Sequence, residues 1–95
     1  MAGLDPLIHA PARLQLMVSL SGVSEAEFAT LRSALDVSDS VLSKHVSTLV
    51  EAGYLHSRKG VHAGRRTTWV GLTPAGRRAL HDHVAAVRRL IDTVQ

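Results

Sequence analysis

The sequence predicts a mainly α fold with one small β-hairpin, in the order helix, helix, helix, hairpin, helix. Three observations carry that expectation. Apolar residues recur at spacings of three and four up to Gly53, the period of a helix with one buried face. Two stretches rich in β-formers, "YLHSRKG" and "TTWVGLT", then break that period. From Leu80 to Val94 it returns as a heptad run.

"LDPLIHAPARLQLMVSLSG" reads as a short turn followed by a helix with Pro11 in its first turn, where a missing N–H is tolerated. Leu14, Met17, Val18 and Ser21 lie at helical spacing, and Gly22 ends the helix. In "SEAEFATLRSALD", Ser24 and Glu27 have the spacing of a capping box, and Phe28, Leu31 and Leu35 mark a buried face. After the brief linker "DVS", Ser38 is the expected N-cap of a third helix. Leu42, Val46, Leu49 and Gly53 form its apolar stripe, and Gly53 stops it. At about 100° per residue, Ser40, Ser43, Lys44, Ser47, Thr48 and Glu51 fall on the opposite side, with His45 and Ala52 at the edge.

The hairpin strands are joined by "VHAGRR", read as a glycine-containing loop of several residues. An isolated hairpin is marginal in water, so this one must lie on the helices. Trp69 and Tyr54 are the expected core aromatics making that contact. Thr73 caps the closing helix, expected over residues 74–94, with Pro74 at its first position. Leu80, Val84, Val87, Ile91 and Val94 form its seam, while Gly76 reads as a weak spot.

A chain of 95 residues makes one small domain, expected over 1–95, with a thin core. There is no long apolar run to span a membrane and no secretory signal pattern at the start, so a cytoplasmic protein is expected. The absence of cysteine excludes disulfides, thiolate metal sites and thiol redox switches. The net charge of +3 conceals an asymmetry: residues 1–55 carry −3 and residues 56–95 carry +6. The basic residues of the second part come in pairs, Arg58-Lys59, Arg65-Arg66, Arg77-Arg78 and Arg88-Arg89. Such a balance suits a polyanion, although a solvated basic surface would look the same.

Two helices joined by three residues make a helix-turn-helix, whose second helix enters the DNA major groove by its N-terminal residues. That accounts for the polar side of the third helix. Serine is a mediocre helix former, but its hydroxyl can donate and accept at base edges and phosphates without bulk. A lysine there can reach a phosphate or a guanine edge. The basic hairpin beside it can reach phosphates or a minor groove.

With these features on view, the chain resembles the winged-helix transcriptional regulators of bacteria and archaea, in the broad ArsR/MarR group, and looks most like its small single-domain branch. The carriers are "LSKHVSTLVEAGYL" and "TTWVGLTPAGRRAL", and the likeness spans nearly the whole chain. The resemblance implies a winged helix-turn-helix: a three-helix core, a wing and a C-terminal dimerisation helix. It implies a homodimer that places the recognition helix in the major groove of double-stranded DNA and the wing on the backbone or minor groove. A two-fold dimer in turn expects a palindromic operator; a repressor is the expected role, although the sequence gives neither the operator nor the sign of regulation. Carried over, Ser38, Asp39, Ser40, Ser43, Lys44, His45, Ser47 and Thr48 match the recognition helix, and Arg65 and Arg66 the wing tip. Leu80, Val84, Val87, Ile91 and Val94 match the dimer interface. Asp39 departs from a phosphate-binding pattern: it either accepts from a cytosine amino group or only caps.

Rival functions are weaker. Six histidines invite a metal sensor, but His81 and His83 at i and i+2 point to different sides of a helix, and solvated histidines are expected. No metal or cofactor is therefore expected within one chain; a metal-responsive sensor would need a site built across a dimer. An enzyme would need a nucleophile with its base, paired carboxylates or a phosphate loop, none of which is visible. A winged helix that binds only protein, inside a larger assembly, fits the basic wing and the hydroxyl face poorly. The sequence does not identify an effector and leaves little room for one.

Overall fold

The computed structural model describes residues 4–94, so the outermost residues of the expected 1–95 domain lie outside it. Its elements in chain order are α1 (Pro6–His9), α2 (Pro11–Leu20), β1 (Ala26–Glu27), α3 (Phe28–Leu35), α4 (Asp39–Glu51), β2 (Leu55–His62), β3 (Arg65–Leu72) and α5 (Pro74–Asp92). The strands form an antiparallel sheet in the order β1-β3-β2. This is the winged-helix architecture that the sequence predicts, with two additions and a longer wing.

The first addition is α1. Asp5 caps it by accepting the Leu7 N–H at 2.9 Å, and Ile8 is fully buried against the helices. On α2 the face expected to be buried is rotated. Leu16, Met17 and Leu20 are in the core, whereas Val18 is half exposed. The second addition is β1. Ser24 and Glu27 do not form a capping box, because Ala26 and Glu27 pair with Val70 and Trp69 of β3. The Glu27 carboxylate accepts instead from the Thr67 hydroxyl at 3.1 Å. A two-residue strand leaves no periodic trace in a sequence, whereas a Ser-x-x-Glu spacing does.

α3 ends in a Schellman motif. Asp36 adopts φ +52, its N–H reaches Ser33 O, and Val37 N–H reaches Arg32 O, both at 3.3 Å. Asp is one of the few non-glycine residues that tolerate this region. The linker of Asp36, Val37 and Ser38 is thus as short as expected. Ser38 caps α4, its Oγ accepting the Val41 N–H at 3.2 Å. Leu42, Val46 and Leu49 are buried, and Gly53, at φ +81, lets the chain leave the helix.

The strands of the wing run through most of the segment expected to be a loop. Only Ala63 and Gly64 separate β2 from β3, both at positive φ, +52 and +77, the signature of a tight hairpin turn. Leu55, Val70 and Leu72 face the core. Trp69 alternates to the other face and packs beside Arg58 and His62 instead of joining the core. Tyr54 does pack against the core, and its hydroxyl donates to the Asp5 carboxylate. That bond, with partial burial, raises the phenol's pKa.

On α5, Thr73 Oγ1 accepts the Gly76 N–H at 2.9 Å, and the helix ends at Asp92, two residues before the expected limit. His83 is fully buried and not solvated. Its Nδ1 accepts the Asp5 N–H at 3.1 Å, its ring meets His9 edge-on at 5.4 Å, and its Nε2 has no partner. Gly76 is not a weak spot. A Cβ there would lie 2.0 Å from the Tyr54 carbonyl oxygen, so only glycine lets α5 cross the chain at that point.

These contacts predict two outcomes. Helix propensity alone says that Gly76→Ala should stabilise by about 1 kcal/mol. Packing says the opposite: urea unfolding should show a loss of about 2 kcal/mol or more. The second outcome concerns pH. Burial, then the neighbouring His9, lowers the His83 pKa from 6.5, against an opposing pull from Asp5. The unfolded chain therefore binds more protons below pH 6.5, and stability is lost as pH falls through that value. Unfolding free energies from pH 7.5 to 5.5 should fall in the parent, with a shallower slope in His83→Gln.

Candidate nucleic-acid interface

The exposed side of α4 carries Asp39, Ser40, Ser43, Lys44 and Ser47, beginning at the Ser38 cap. The helix orients them because its opposite side is held by Leu42, Val46 and Leu49 in the core. The Ser38 and Ser40 hydroxyls lie 3.2 Å apart. Not every hydroxyl faces outward. Thr48 is half-buried, and its Oγ1 donates to the Lys44 carbonyl at 2.9 Å within the helix. His45 lies at the edge of the face, half-buried, with a buried and unpaired Nδ1. Burial, then the charges of Arg13 and Lys44, lower its pKa, so it is neutral at pH 7.

Asp39 has a partner that sequence reasoning missed. Arg32 Nε, from the last turn of α3, lies 3.0 Å from Asp39 Oδ1. The link crosses the turn between the two helices; Arg32 is half-buried and Asp39 is exposed. Since Ser38 supplies the capping oxygen, Asp39 is not the cap. A signal existed: Arg32 and Asp39 flank the short linker, which brings their helix ends together.

The wing separates the basic pairs. Directly opposed residues share a face of a sheet. Lys59 pairs with Thr68 and Val61 with Arg66, on the face that continues from Leu55, Val70 and Leu72. There Lys59, Val61, Arg66 and Thr68 line a cleft of about 570 Å³ against Phe28 and Ala29 of α3. Arg58 and Arg65 lie on the other face, opposite Trp69 and His62. Arg65 and Arg66 are thus exposed as expected, but they are strand residues projecting from opposite faces, not a joint loop tip.

Neither Arg58 nor Arg77 is a freely available cation. Arg58 grips the Glu25 carboxylate through Nε at 2.8 Å and Nη2 at 2.7 Å, and its guanidinium lies 5.5 Å from the Trp69 ring centre. The bond holds the Glu25 carboxyl below its usual pKa. Arg77 donates to Ser21 O at 3.0 Å and Val23 O at 3.1 Å, closing the end of α2. Lys59, Arg65, Arg66 and Lys44 are exposed. Lys59 was visible in the sequence only as half of a basic pair.

Among the described residues, no three histidine or acidic side chains come together as metal ligands, and no helix is long and apolar enough to cross a membrane.

Comparison with known proteins agrees with this geometry. Residues 12–91 match the family described as the winged helix DNA-binding domain. The chain is similar to an uncharacterized protein of Methanocaldococcus jannaschii, 26% identical over 89 residues, or 94% of this chain and 97% of that one. Among solved structures it is similar to a transcriptional regulator homologue of Pyrococcus horikoshii OT3, with a TM-score of 0.85 and 27% identity, covering 90% of this chain and 85% of that one. It is also similar to a MarR family transcriptional regulator of Silicibacter pomeroyi, with a TM-score of 0.71 and 25% identity. That match covers 87% of this chain but 54% of the longer protein.

Proposed function

Because this chain belongs to the winged helix DNA-binding domain family, we propose that it is a sequence-specific transcriptional repressor that binds a palindromic operator as a homodimer. Membership makes it a DNA-binding protein and not an enzyme. One observation carries the sequence-specific part: a helix held rigidly by its apolar side exposes Ser40, Ser43, Lys44 and Ser47 at the second position of a helix-turn-helix. Narrow hydroxyl side chains allow close approach to base edges, and Lys44 reaches further. Ser38 and Asp39 lead this helix, while Thr48 and His45 border its face. Lys59, Arg65 and Arg66 supply phosphate contacts from the wing, on both of its faces.

The dimer is supported by apolar surface left uncovered in one chain. Leu80 is buried in its own core, and Val84 packs partly against it. The seam opens beyond them: Val87 is half-buried, Ile91 is 62% exposed and Val94 77%. Val18, half exposed, lies with Val84 and Ala85 along a groove between α2 and α5. A second copy meeting this surface about a two-fold axis covers it. α5 has 19 residues, about 28 Å at 1.5 Å each, enough to set two recognition helices near one turn of DNA apart.

Binding assays at several salt concentrations test the contacts. Ser43→Ala or Lys44→Ala should cost about 1–3 kcal/mol at the operator and less on random DNA. Lys59→Ala, Arg65→Ala or Arg66→Ala should weaken binding to all DNA and lower the salt slope by about one each. Equal losses on both DNAs for the α4 variants would mean that these residues hold phosphates only. Sedimentation tests the dimer: Val87→Glu should be monomeric where the parent is dimeric, and a monomeric parent at micromolar concentration would refute it.

A further inference from the structure

We infer that Asp39 reads a base, selecting a cytosine through its N4 amino group, and that Arg32 is the residue that positions it. The inference rests on the DNA-binding reading and adds a chemical identity to one position of the operator. It starts from an oddity. The leading residue of α4 is an exposed carboxylate, at the end of the helix that enters the groove first. Phosphates repel it, and capping does not explain it, because the Ser38 Oγ accepts the Val41 N–H. Stability supplies only a small reason, since the helix dipole favours a carboxylate in the first turn by a modest amount. An exposed ion pair of this kind contributes little.

The chemistry of the major groove narrows the choice. A carboxylate at pH 7 only accepts hydrogen bonds. Guanine shows O6 and N7 there and thymine shows O4, all acceptors, which repel it. The donors are the cytosine N4 and adenine N6 amino groups. Adenine places its N7 acceptor beside N6, so a carboxylate that gains one bond meets a repulsion next to it. Cytosine has no acceptor beside N4 on that edge. Asp39 therefore favours cytosine over adenine and disfavours the other two bases.

Arg32 makes this workable. Its Nε lies 3.0 Å from Oδ1, so the ion pair engages that oxygen and Oδ2 is the one offered to the base. The guanidinium also offsets the negative charge that Asp39 would otherwise carry toward the DNA backbone. It comes from the other helix of the motif, so the pair sets the carboxylate relative to both helices at once.

The test is selection from random DNA with the full chain, followed by binding measurements on operators differing at one base pair. The parent should require cytosine at one position of each half-site, by about fivefold or more over adenine. Asp39→Asn replaces an acceptor pair by an acceptor and a donor, which match adenine N7 and N6 together. Its preference at that position should move from cytosine to adenine, with the other positions unchanged. Arg32→Ala should flatten the same position, and Arg32→Lys should partly restore it. A change confined to one base position is not what a general loss of fold would give. An unaltered preference in Asp39→Asn would overturn the inference while leaving the regulator reading intact. An Arg32→Ala variant that binds all DNA more weakly with unchanged preference would remove the positioning role. Recovery of no preferred sequence by the parent would refute the sequence-specific reading, and this inference with it.

Discussion

Three parts of the molecule meet where the backbone of Tyr54 crosses the first turn of α5. The Tyr54 N–H donates to Leu49 O at 2.9 Å, closing the end of α4, and its carbonyl accepts from the Thr73 N–H at 3.0 Å. Thr73 also donates its hydroxyl to Gly53 O and caps α5 through Gly76. The exit of α4, the return of the wing and the start of α5 are thereby tied within a few residues. The close approach is possible because Gly76 has no side chain. A shift at this crossing would move the wing and α5 together relative to α4, so the placing of α4 against the wing depends on it.

The same economy shows in the charges. The second part of the chain is strongly basic, but its cations divide between support and exposure. Arg58 is tied to Glu25 beside β1, and Arg77 closes the end of α2. One arginine thus ties the wing to the segment before α3, and another closes a helix end. Arg32, in the acidic first part, holds the leading carboxylate of α4 instead. A charge count detects attraction to a polyanion, but it does not tell which residues are available to meet one.

A thin core needs closure at its edges. α1 supplies Ile8, and Asp5 connects it to both Tyr54 and His83. His83 is the one polar residue among the buried side chains of the described core. Its neutral ring accepts a backbone N–H that would otherwise be unpaired in a part-buried site. Protonation would place a donor against that donor, so the contact between the first segment and α5 is expected to weaken as pH falls.

Elements with a long period or a strong cap were legible without coordinates. The apolar positions 42, 46 and 49 and the Ser38 cap sufficed for α4, and Thr73 with Pro74 for the start of α5. Each is a local property, set by side chains within one or two turns. The hydroxyl-rich polar side of α4 was readable for the same reason: burying one side of a helix exposes the other. Three-dimensional contact decided the rest. β1 exists because β3 offers it a ladder, and Trp69 leaves the core because strand alternation gives Val70 that place. Gly76 is required because a carbonyl 22 residues earlier lies against it. Arg32 finds Asp39, and Arg58 finds Glu25, only once the helices and strands have packed. Sequence alone therefore determined where α4 and α5 begin and which face α4 buries, since those follow from neighbours along the chain. Only the tertiary structure decided which charges are paired and which glycine is indispensable, because those depend on residues that the chain brings together from a distance.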